Sequence, residues 1–275
     1  MTNTTAQSSI VHRDIDFGID DSLPRHWLAN CPHRTHFMNA LSVTFPEGER
    51  FFIRSVRRFA KRIDDPQLKA DVDAFTRQEA MHGREHQQLN DVMARQGYPV
   101  AKIEAREKRE IAATEKYTPP IFRLAVTACL EHYTALMAEV VLSNDTLMKQ
   151  ADPRMQRLWN WHAVEESEHK AVAFDVYTAV MGRGFNAWWV RSFAMLEVTL
   201  HFWLNIFIFH TMLVKADKQF WNIRGWLRAW WFLWGNPGPI RRVIPGLLAW
   251  FKPSFHPTDR DTEALMLKGL QRLEL

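Results

Sequence analysis

Two stretches of the chain carry a Glu-x-x-His step, Glu79-Ala80-Met81-His82 and His162-Ala163-Val164-Glu165-Glu166-Ser167-Glu168-His169. On an α-helix this spacing puts a carboxylate and an imidazole one turn apart on one face. Four-helix bundles hold a dinuclear metal centre with two such helices and two more that each bring one inward glutamate. The chain offers a glutamate in each expected place, Glu49 and Glu131. The order of these residues predicts a metal-binding bundle.

The composition fits a large folded protein that does not bind nucleic acid. The 275 residues are 47% hydrophobic, enough for a full core. Because 35 basic and 31 acidic residues leave a net charge of only +4, we expect no nucleic-acid partner. The two cysteines, Cys31 and Cys129, have no C-x-x-C spacing, which favours a reducing compartment. Since the first ten residues lack the apolar run of a signal peptide, we expect a cytoplasmic protein.

Proline and glycine punctuation divides residues 1–184 into an arm and a bundle. Residues 1–44 are predicted to be irregular. Four long helices and a charged connecting helix follow, over roughly 46–63, 65–96, 102–115, 119–149 and 152–182. Pro46 is placed in the opening turn of the first helix, where proline is well suited. Because the connection between the second and third long helices is long, the predicted fold is all-α, a ferritin-like four-helix bundle.

Residues 185–275 have a different character and are predicted to form a Trp-rich hydrophobic C-terminal helical appendage packed on the bundle. Nine of the 12 tryptophans lie here, many beside arginine or lysine, a composition typical of membrane interfaces. The segment Phe193–Val214 is long enough to span a bilayer but carries about one polar group per turn. A peripheral position on the inner face of the membrane is therefore expected, with a homodimer interface as the alternative. A last polar helix is predicted over about 258–273.

A helical wheel at about 100° per residue tests whether the second helix aims its polar groups at one point. With Glu79 at zero, His82 falls at about 300° and His86 at about 340°, so the three share a face. Glu85 falls at about 240°, which places it outside the group of ligands.

The same test on the fourth helix selects three of its five candidates. With His162 at zero, Glu166 falls at about 40° and His169 at about 340°. Glu168 falls at about 240° and is placed outside. Glu165 falls at about 300°, so it could be either a residue that contacts a ligand from its outer side or an alternative ligand.

Four buried carboxylates would be costly unless paired with cations, and two divalent ions would neutralise them. Glu131 is preferred over Glu139, two turns further along. Glu49 is preferred over Glu47, because Glu47 is predicted in a first helical turn where it would complement the helix dipole. Carboxylates and imidazoles suit iron, manganese or zinc.

The ordered motifs resemble those of the ferritin-like di-iron carboxylate proteins. The runs Leu41–Phe52 and Trp161–Lys170 further resemble a bacterial family of predicted metal-dependent hydrolases, over about residues 25–260. The pattern His162-x-x-x-Glu166-x-x-His169 is similar to the fourth helix of the arylamine N-oxygenases, which place a third histidine on iron.

The resemblance implies a set of seven metal ligands: Glu49, Glu79, His82, Glu131, His162, Glu166 and His169. Ordinary di-iron bundles use two histidines, so the alternative is that His162 stacks beside the site, with Trp161 covering it. His86 and Glu165 are the candidates for contacts behind the ligands.

The leading functional expectation is a di-iron oxidoreductase that activates O2 and oxidises an apolar, lipid-like small molecule. Two Fe ions are expected, with Mn or mixed Mn/Fe as variants. Because no flavin, nicotinamide or Fe–S motif is present, electrons would come from an external ferredoxin or reductase. The first alternative is a dinuclear hydrolase using Zn or Mn, and the second is a non-catalytic ferritin-like metal-binding protein.

Overall fold

The computed structural model describes residues 9–274, and these form an all-α protein. Within that range no β-strand occurs, only an isolated bridge between Leu28 and Ala151. The helices are α1 (Pro32–Arg57), α2 (Pro66–Arg95), α3 (Val100–Tyr117), α4 (Pro120–Ser143), α5 (Pro153–His169), α6 (Val172–Met181), α7 (Phe185–Ala216), α8 (Ile223–Trp230), α9 (Pro239–Ala249) and α10 (Glu263–Leu273). The predicted all-α helical bundle is confirmed.

Helices α1, α2, α4 and α5 form the bundle. Helix α1 packs on α2 and α4, and α5 packs on α4 and α2, so the four enclose one interior. Helix α3 connects α2 to α4 and lies against α1 and α2, as expected for the long connection. Helices α2 and α5 begin at an aspartate cap followed by proline, with Asp65 accepting from Gln67 N and Asp152 from Arg154 N.

The predicted start of the first helix is wrong. Helix α1 begins at Pro32, and Pro46 lies inside it, so the described part of the irregular arm is limited to residues 9–31, while residues 1–8 lie outside the described range. Proline in a helix interior removes a backbone hydrogen bond and costs about 3 kcal/mol. Here the helix continues because buried side chains line it on both sides of Pro46. The apolar series Phe37, Leu41 and Phe45, four residues apart, was the available signal.

Two predicted helix ends also need correction. Helix α4 ends at Ser143 rather than near Lys149, because the side chain of Asn144 accepts from the backbone N–H of Thr146 and starts a turn. The fourth bundle helix is broken after His169, and α6 begins at Val172. The Lys170 side chain at this break donates to the Arg260 carbonyl oxygen and to Thr262 Oγ1.

The C-terminal helices cover the bundle. Helix α7 begins at Phe185 rather than Phe193, and it packs across α1 and α4. Helix α9 lies on α4, and α10 lies on α5 and α4. Between α8 and α9 a π-helical turn runs from Trp231 to Gly235. The last helix begins at Glu263, after a 3-10 turn over Pro257–Asp259. The division into domains at residue 184 stays a prediction.

Two helices have the length and apolar composition of a membrane span, α4 and α7. Within their apolar windows α4 is 72% buried, as expected for a core helix, whereas α7 is only 33% buried. Length and composition alone select both helices, and burial then distinguishes α4, inside the bundle, from α7, which has a large free surface.

Cys31 and Cys129 are both buried free thiols.

Candidate metal centre

All seven predicted ligands lie together in the interior of the bundle. Helix α1 supplies Glu49, α2 supplies Glu79 and His82, α4 supplies Glu131, and α5 supplies His162, Glu166 and His169. Their exposed fractions run from 0% to 4%. Because each of the four helices brings at least one carboxylate, the centre depends on the bundle as a whole.

The side chains divide into two groups joined by Glu166. Potential ligand atoms of Glu49, His82 and His162 lie within 4.8 Å of one another, and so do those of Glu79, Glu166 and His169. Oε1 of Glu166 is 3.0 Å from His162 Nε2, and its Oε2 is 3.4 Å from His169 Nε2. Glu166 therefore has one oxygen towards each group, the position of a bridging carboxylate.

Glu131 completes the second group. Its Oε2 lies 3.4 Å from His169 Nε2, while Glu79 Oε1 lies 3.0 Å from the same nitrogen. The rival Glu139 instead pairs with Arg260 at 2.8 Å, away from the centre. The preference for Glu131 over Glu139 is thus explained by where each carboxylate points.

Each histidine has one ring nitrogen towards the carboxylates, and the other ring nitrogens of His162 and His169 are hydrogen-bonded from behind. His169 Nδ1 donates to Gln78 Oε1 at 2.8 Å. His162 Nδ1 and His86 Nε2 share a hydrogen bond of 2.9 Å. His82 Nε2 lies 3.2 Å from Glu165 Oε2, which leaves Nδ1 on the side of Glu166, 3.6 Å away. This inward and outward division is characteristic of metal-binding histidines, whose outer nitrogen is held by a neighbour.

The contacts behind His162 fix its tautomer. Ser42 Oγ donates to Asn90 Oδ1, so it accepts from His86 Nδ1 at 2.9 Å. His86 Nε2 is then unprotonated and accepts from His162 Nδ1. It follows that His162 carries its proton on Nδ1 and presents an unprotonated Nε2 to Glu166. His162 also stacks on His82, with ring centroids 4.2 Å apart, so it both stacks and points inward.

Glu165 and His86, the two predicted contacts behind the ligands, occupy those positions. Glu165 accepts from Trp161 Nε1 at 2.9 Å and from Arg13 at 3.4 Å. The ring of Trp161 meets His82 edge-on, with centroids 4.8 Å apart. Trp161 therefore covers His82 and holds Glu165, whereas the alternative interpretation had placed it over His162.

The three glutamates excluded by geometry or position lie outside the centre. Glu85 interacts with Arg84 and Gln88, and Glu168 with Arg13. Glu47 pairs with Arg50 and Lys108. The predicted place of Glu47 in a first helical turn is wrong, because α1 begins 15 residues earlier, at Pro32.

Burial and mutual repulsion set the protonation of the carboxylates. Burial, with Glu79 and Glu166 nearby, raises the pKa of Glu49 well above its usual range, and burial raises that of Glu131 to about 7. Burial alone would also raise the pKa of Glu166, but His169 and His162 outweigh it and hold this pKa well below normal. The carboxylates around His169 raise its pKa despite its burial. The buried carboxylates therefore favour a nearby cation, a role that the His169 imidazolium fills beside Glu166.

The donor set fits a cation because many of its buried atoms have no hydrogen-bond partner. These atoms are both oxygens of Glu49, Glu79 and Glu131, both ring nitrogens of His82, Oε2 of Glu166 and Nε2 of His169. Buried polar atoms are nearly always hydrogen-bonded in folded proteins, so such a cluster calls for another partner. Four carboxylates and three imidazoles, without thiolate, match divalent iron, manganese or zinc once the imidazoles are neutral.

Gly83 leaves space for Glu49 where α1 approaches α2. A Cβ at this position would lie 3.0 Å from Glu49 Oε2 and 3.6 Å from Pro46 Cα. The lack of a side chain thus gives Glu49 room between Pro46 and α2, one residue after His82.

Three residues that contact the centre from behind were not predicted, Arg13, Ser42 and Gln78. Gln78 joins two neighbours, since its Oε1 accepts from His169 and its Nε2 donates to Glu168 Oε2 at 2.9 Å. Arg13 donates to Glu168 and Glu165 from the N-terminal arm. Gln78 directly precedes Glu79 in sequence, but neutral side chains and a distant arm offer no spacing signal.

A third cluster of potential ligands, His26, His36 and Asp217, joins the arm and α1 to the end of α7. His26 Nε2 lies 2.6 Å from Asp217 Oδ2, and Arg25 and Tyr98 bond the other oxygen. Because the carboxylate already has four partners, one of them cationic, this cluster acts as an anchor between elements.

A cavity of about 550 Å³ reaches the centre between α1, α3, α4 and α7. It touches Glu49 and Phe45 at its inner end and includes Leu204 of α7 in its wall. A second, smaller pocket of about 60 Å³ touches His162 and Glu166 and is otherwise lined almost wholly by apolar side chains. The small pocket beside His162 and Glu166 is therefore apolar, whereas the larger cavity beside Glu49 also has charged residues in its lining, among them Arg106, Glu107 and Glu110.

Comparisons with known proteins identify a family. The chain matches no curated protein and no solved structure. Residues 11–261 match the family model described as a predicted metal-dependent hydrolase. This range contains the four bundle helices and all seven candidate ligands. The chain therefore belongs to the family of predicted metal-dependent hydrolases.

Proposed function

We propose that this protein is a dinuclear metal-dependent enzyme that converts an apolar small molecule. The observation that carries the proposal is the buried cluster of four carboxylates and three histidines, with most inward atoms lacking a hydrogen-bond partner. Such an arrangement is too costly to be structural, because unpaired buried carboxylates destabilise the fold.

One metal ion would be held by the Glu49, His82 and His162 group, and the other by the Glu79, Glu166 and His169 group, with Glu131 beside His169. Bound ions of this kind supply Lewis-acid activation of water or a carbonyl and, where the metal is iron, electron transfer as well. Glu166, which has one carboxylate oxygen towards each group, would help to hold both ions.

The residues behind the ligands orient them and keep their protons in place. Gln78 holds the proton on Nδ1 of His169, and His86 holds that on Nδ1 of His162. Burial raises the pKa of Glu165 to about 8, so near neutral pH its carboxyl group can gain or lose a proton beside His82. Glu165 is therefore the candidate proton donor or acceptor at the edge of the centre.

The cavity walls indicate the chemical class of the substrate. The lining of the larger cavity has Phe45, Phe51 and Phe52 beside Glu49, together with polar side chains of α3 and α7 such as Arg106 and His201. Its volume of about 550 Å³ lies within the range of about 300–1,000 Å³ for small-molecule sites. An alkyl, acyl or terpenoid-like molecule would fill such a space and exclude water from the centre.

The family description favours hydrolysis as the reaction. A hydrolase would use the centre to activate water against an ester or related bond, with Glu165 available to move the proton. The apolar walls would then bind the acyl or alkyl part of the substrate.

A second candidate, O2-dependent oxidation by two iron ions, is favoured by the donor set. Four carboxylates around two metals in a helical bundle, next to dry apolar space, suit oxygen chemistry. This reaction would need the external electron donor expected from the sequence, a ferredoxin or reductase.

Metal analysis and two activity assays test the proposal and separate the candidates. The protein is purified from cells supplied with iron, manganese or zinc, and we expect about two ions per chain. Hydrolysis predicts anaerobic cleavage of p-nitrophenyl acyl esters with Zn or Mn, improving with acyl length. Oxidation predicts a transient visible absorbance when the ferrous protein is mixed with O2. A metal content well below one ion per chain under all supplies would disprove the proposal.

The matched variants Glu49→Gln and Glu47→Gln, on the same helix, locate the centre. Glu49→Gln should lose metal, because it removes a buried charge next to His82 and His162. Glu47→Gln should keep full metal content, since this carboxylate pairs with Arg50 and Lys108 at the surface. Equal metal content in the two variants would contradict the assignment of Glu49.

A further inference from the structure

The outer face of α7 carries a continuous stripe of exposed apolar side chains. Its members, three or four residues apart, are Phe185, Trp189, Phe193, Leu196, Leu200, Leu204 and Phe207, with exposed fractions from 49% to 72%. At about 100° per residue they fall within an arc of roughly 100°. We refer to these seven side chains as the α7 stripe.

The α7 stripe is larger than the apolar patches of ordinary soluble monomers. It extends over 23 residues, roughly 33 Å along the helix axis. Seven large side chains at these exposures supply on the order of 700 Å² of apolar surface, against about 300–600 Å² for the largest patch of a typical monomer. Such a face needs a partner.

Other exposed apolar and basic groups border the stripe. Trp203 of α7, at the edge of the arc, lines the small pocket with Phe232, Ile240 and Val243, so the π-helical turn and α9 lie beside the stripe. The segment that follows α7 exposes Trp221 at 87%, Leu227 at 63% and Trp230 at 62%. Tryptophan at the border of an apolar surface is characteristic of proteins at the membrane interface.

The charges of the segment that follows the stripe favour a lipid partner. Residues 198–258 contain seven Lys and Arg but one acid, Asp217, which is already bonded to Arg25, His26 and Tyr98. Glu197, the acid within the length of the stripe, pairs with His201. All seven cations are exposed, and none of them has an acidic partner in the described part of the chain: Lys215, Lys218, Arg224, Arg228, Arg241, Arg242 and Lys252. Lysine is depleted from protein–protein interfaces, whereas unpaired cations around an apolar face suit anionic lipid headgroups.

We propose that the α7 stripe and the basic, Trp-rich segment 215–252 dock this protein on the surface of an anionic lipid bilayer. The helix lies along the membrane rather than across it. Its inner side is packed on α1 and α4 through Met195, Val198 and Phe209. Its neighbour α3 presents charged Arg106 and Glu110 beside Asn205 of α7. Spanning would draw these charges into hydrocarbon, at a high cost in free energy.

Docking would bring the cavity mouth to the lipid. Leu204 belongs to the α7 stripe and also lines the 550 Å³ cavity that ends at Glu49. An apolar substrate could then pass from the bilayer to the centre without crossing water. This last consequence rests on the proposed function, whereas the docking itself does not.

Vesicle flotation tests the docking without any assay of activity. The full chain is mixed with phosphatidylcholine vesicles that either contain or lack phosphatidylglycerol, in metal-loaded and metal-free form. We expect binding to the anionic vesicles in both forms, weakening as salt rises from about 0.1 M to about 1 M and the Debye length falls from about 10 Å to about 3 Å.

Matched variants assign the binding to the surface described. Leu200→Glu, in the middle of the stripe, should lower the partition coefficient at least tenfold. Leu267→Glu on α10, at 54% exposure and outside the stripe, should leave it unchanged. The double variant Arg224→Gln/Arg228→Gln should lose about tenfold on anionic vesicles only. Unchanged melting temperatures would show that all three variants fold.

Two outcomes would overturn the proposal. One is wild-type protein that remains unbound to anionic vesicles at low salt. The other is a dimer in light scattering that Leu200→Glu converts to monomer without any vesicle binding, because the stripe would then be a contact between copies. Metal content, measured on the same samples, reports on the proposed function separately, so failure of one leaves the other standing.

Discussion

The centre of the bundle and the outer face of α7 reverse the usual distribution of polar and apolar groups. In the interior, four carboxylates and three imidazoles are 0% to 4% exposed. On the surface, seven large apolar side chains of one helix are about half to three-quarters exposed. Each arrangement destabilises the isolated chain in water, the first through lost hydration and the second through exposed apolar surface.

The two regions differ in how the chain supports them. The centre is braced by contacts such as Gln78 to His169 and His86 to His162, which hold single atoms in place. The α7 stripe has no comparable contacts on its outer side and is defined only by helical spacing. A partner that needs fixed coordination geometry suits the first region, and a fluid partner suits the second.

Removing one inward carboxylate should have the largest effect. Two ions each present at about a thousand times their Kd would stabilise the fold by about 8 kcal/mol in total. Glu131→Ala should abolish this metal-dependent gain, because the second group loses a carboxylate beside His169. Glu139→Ala, two turns along α4, should retain it. Thermal unfolding with and without metal measures both, and a full metal-dependent gain in Glu131→Ala would show that the ligand set is wrong.

Substitution of two tryptophans in the C-terminal region allows a buried position to be compared with an exposed one. Trp250 is fully buried, and Trp250→Ala should cost about 3–5 kcal/mol of unfolding free energy. Trp221 is 87% exposed, and Trp221→Ala should change it by less than about 0.5 kcal/mol. Urea titration measures both values. A large cost at Trp221 would mean that this surface is packed in solution, which would contradict a free lipid-facing segment.

The hydrogen bond from His169 to Gln78 should increase the affinity of the centre for metal. Gln78→Ala removes the acceptor for His169 Nδ1, and loss of such a contact typically weakens metal binding by about 10–100-fold. Gln87→Ala on the same helix, whose amide bonds Asp91 and Glu104, is the control and should bind normally. Competition with a chelator of known affinity gives the ratio. Equal affinities would mean that His169 is oriented by its helix alone.

His210 predicts a pH dependence that is independent of the metal. Burial, with His36 and His33 nearby, lowers its pKa to about 3, while its ring donates to the His33 carbonyl oxygen. Because the unfolded chain takes up this proton below about pH 6.5 and the folded chain does not, stability falls as pH falls. The loss between pH 7 and pH 5 is about 2 kcal/mol.

The variant His210→Gln isolates this effect. Urea titration of metal-free protein at both pH values should show a smaller loss than in wild type. His201→Gln, at an exposed position of α7, should keep the wild-type dependence. If His210→Gln kept it as well, another group would be responsible.

The sequence predicted the inward residues better than the helices that carry them. Their spacing alone puts Glu79 and His82 on one helix face. This result does not depend on where the helix is predicted to begin. The start of α1 was predicted wrongly at Pro46, because proline prefers the first turn of a helix. Here the packing of Phe37, Leu41 and Phe45 outweighs that preference. Local rules do not include that packing, so the boundary could not be read correctly.

Contacts between segments that are distant in the chain could not be predicted from the sequence. Arg13 meets Glu168 across 155 positions, and no periodicity links an irregular arm to α5. The same applies to Ser42, whose hydroxyl matters only because Asn90 and His86 stand opposite it. The ligands likewise do not decide the reaction class, because one donor set serves both water and oxygen chemistry.

The bond between Arg13 and Glu168 makes the N-terminal arm part of the wall of the centre. Arg13 also reaches Glu165, and the backbone carbonyl of Val11 accepts from Gln78, the residue that holds His169. A change in this polar segment, far from every motif, would thus alter the orientation of a histidine and the charge of a proton-transfer group. Truncation of the arm, or a fusion partner that displaces it, would thus inhibit the proposed activity. A molecule that binds the arm would inhibit it in the same way.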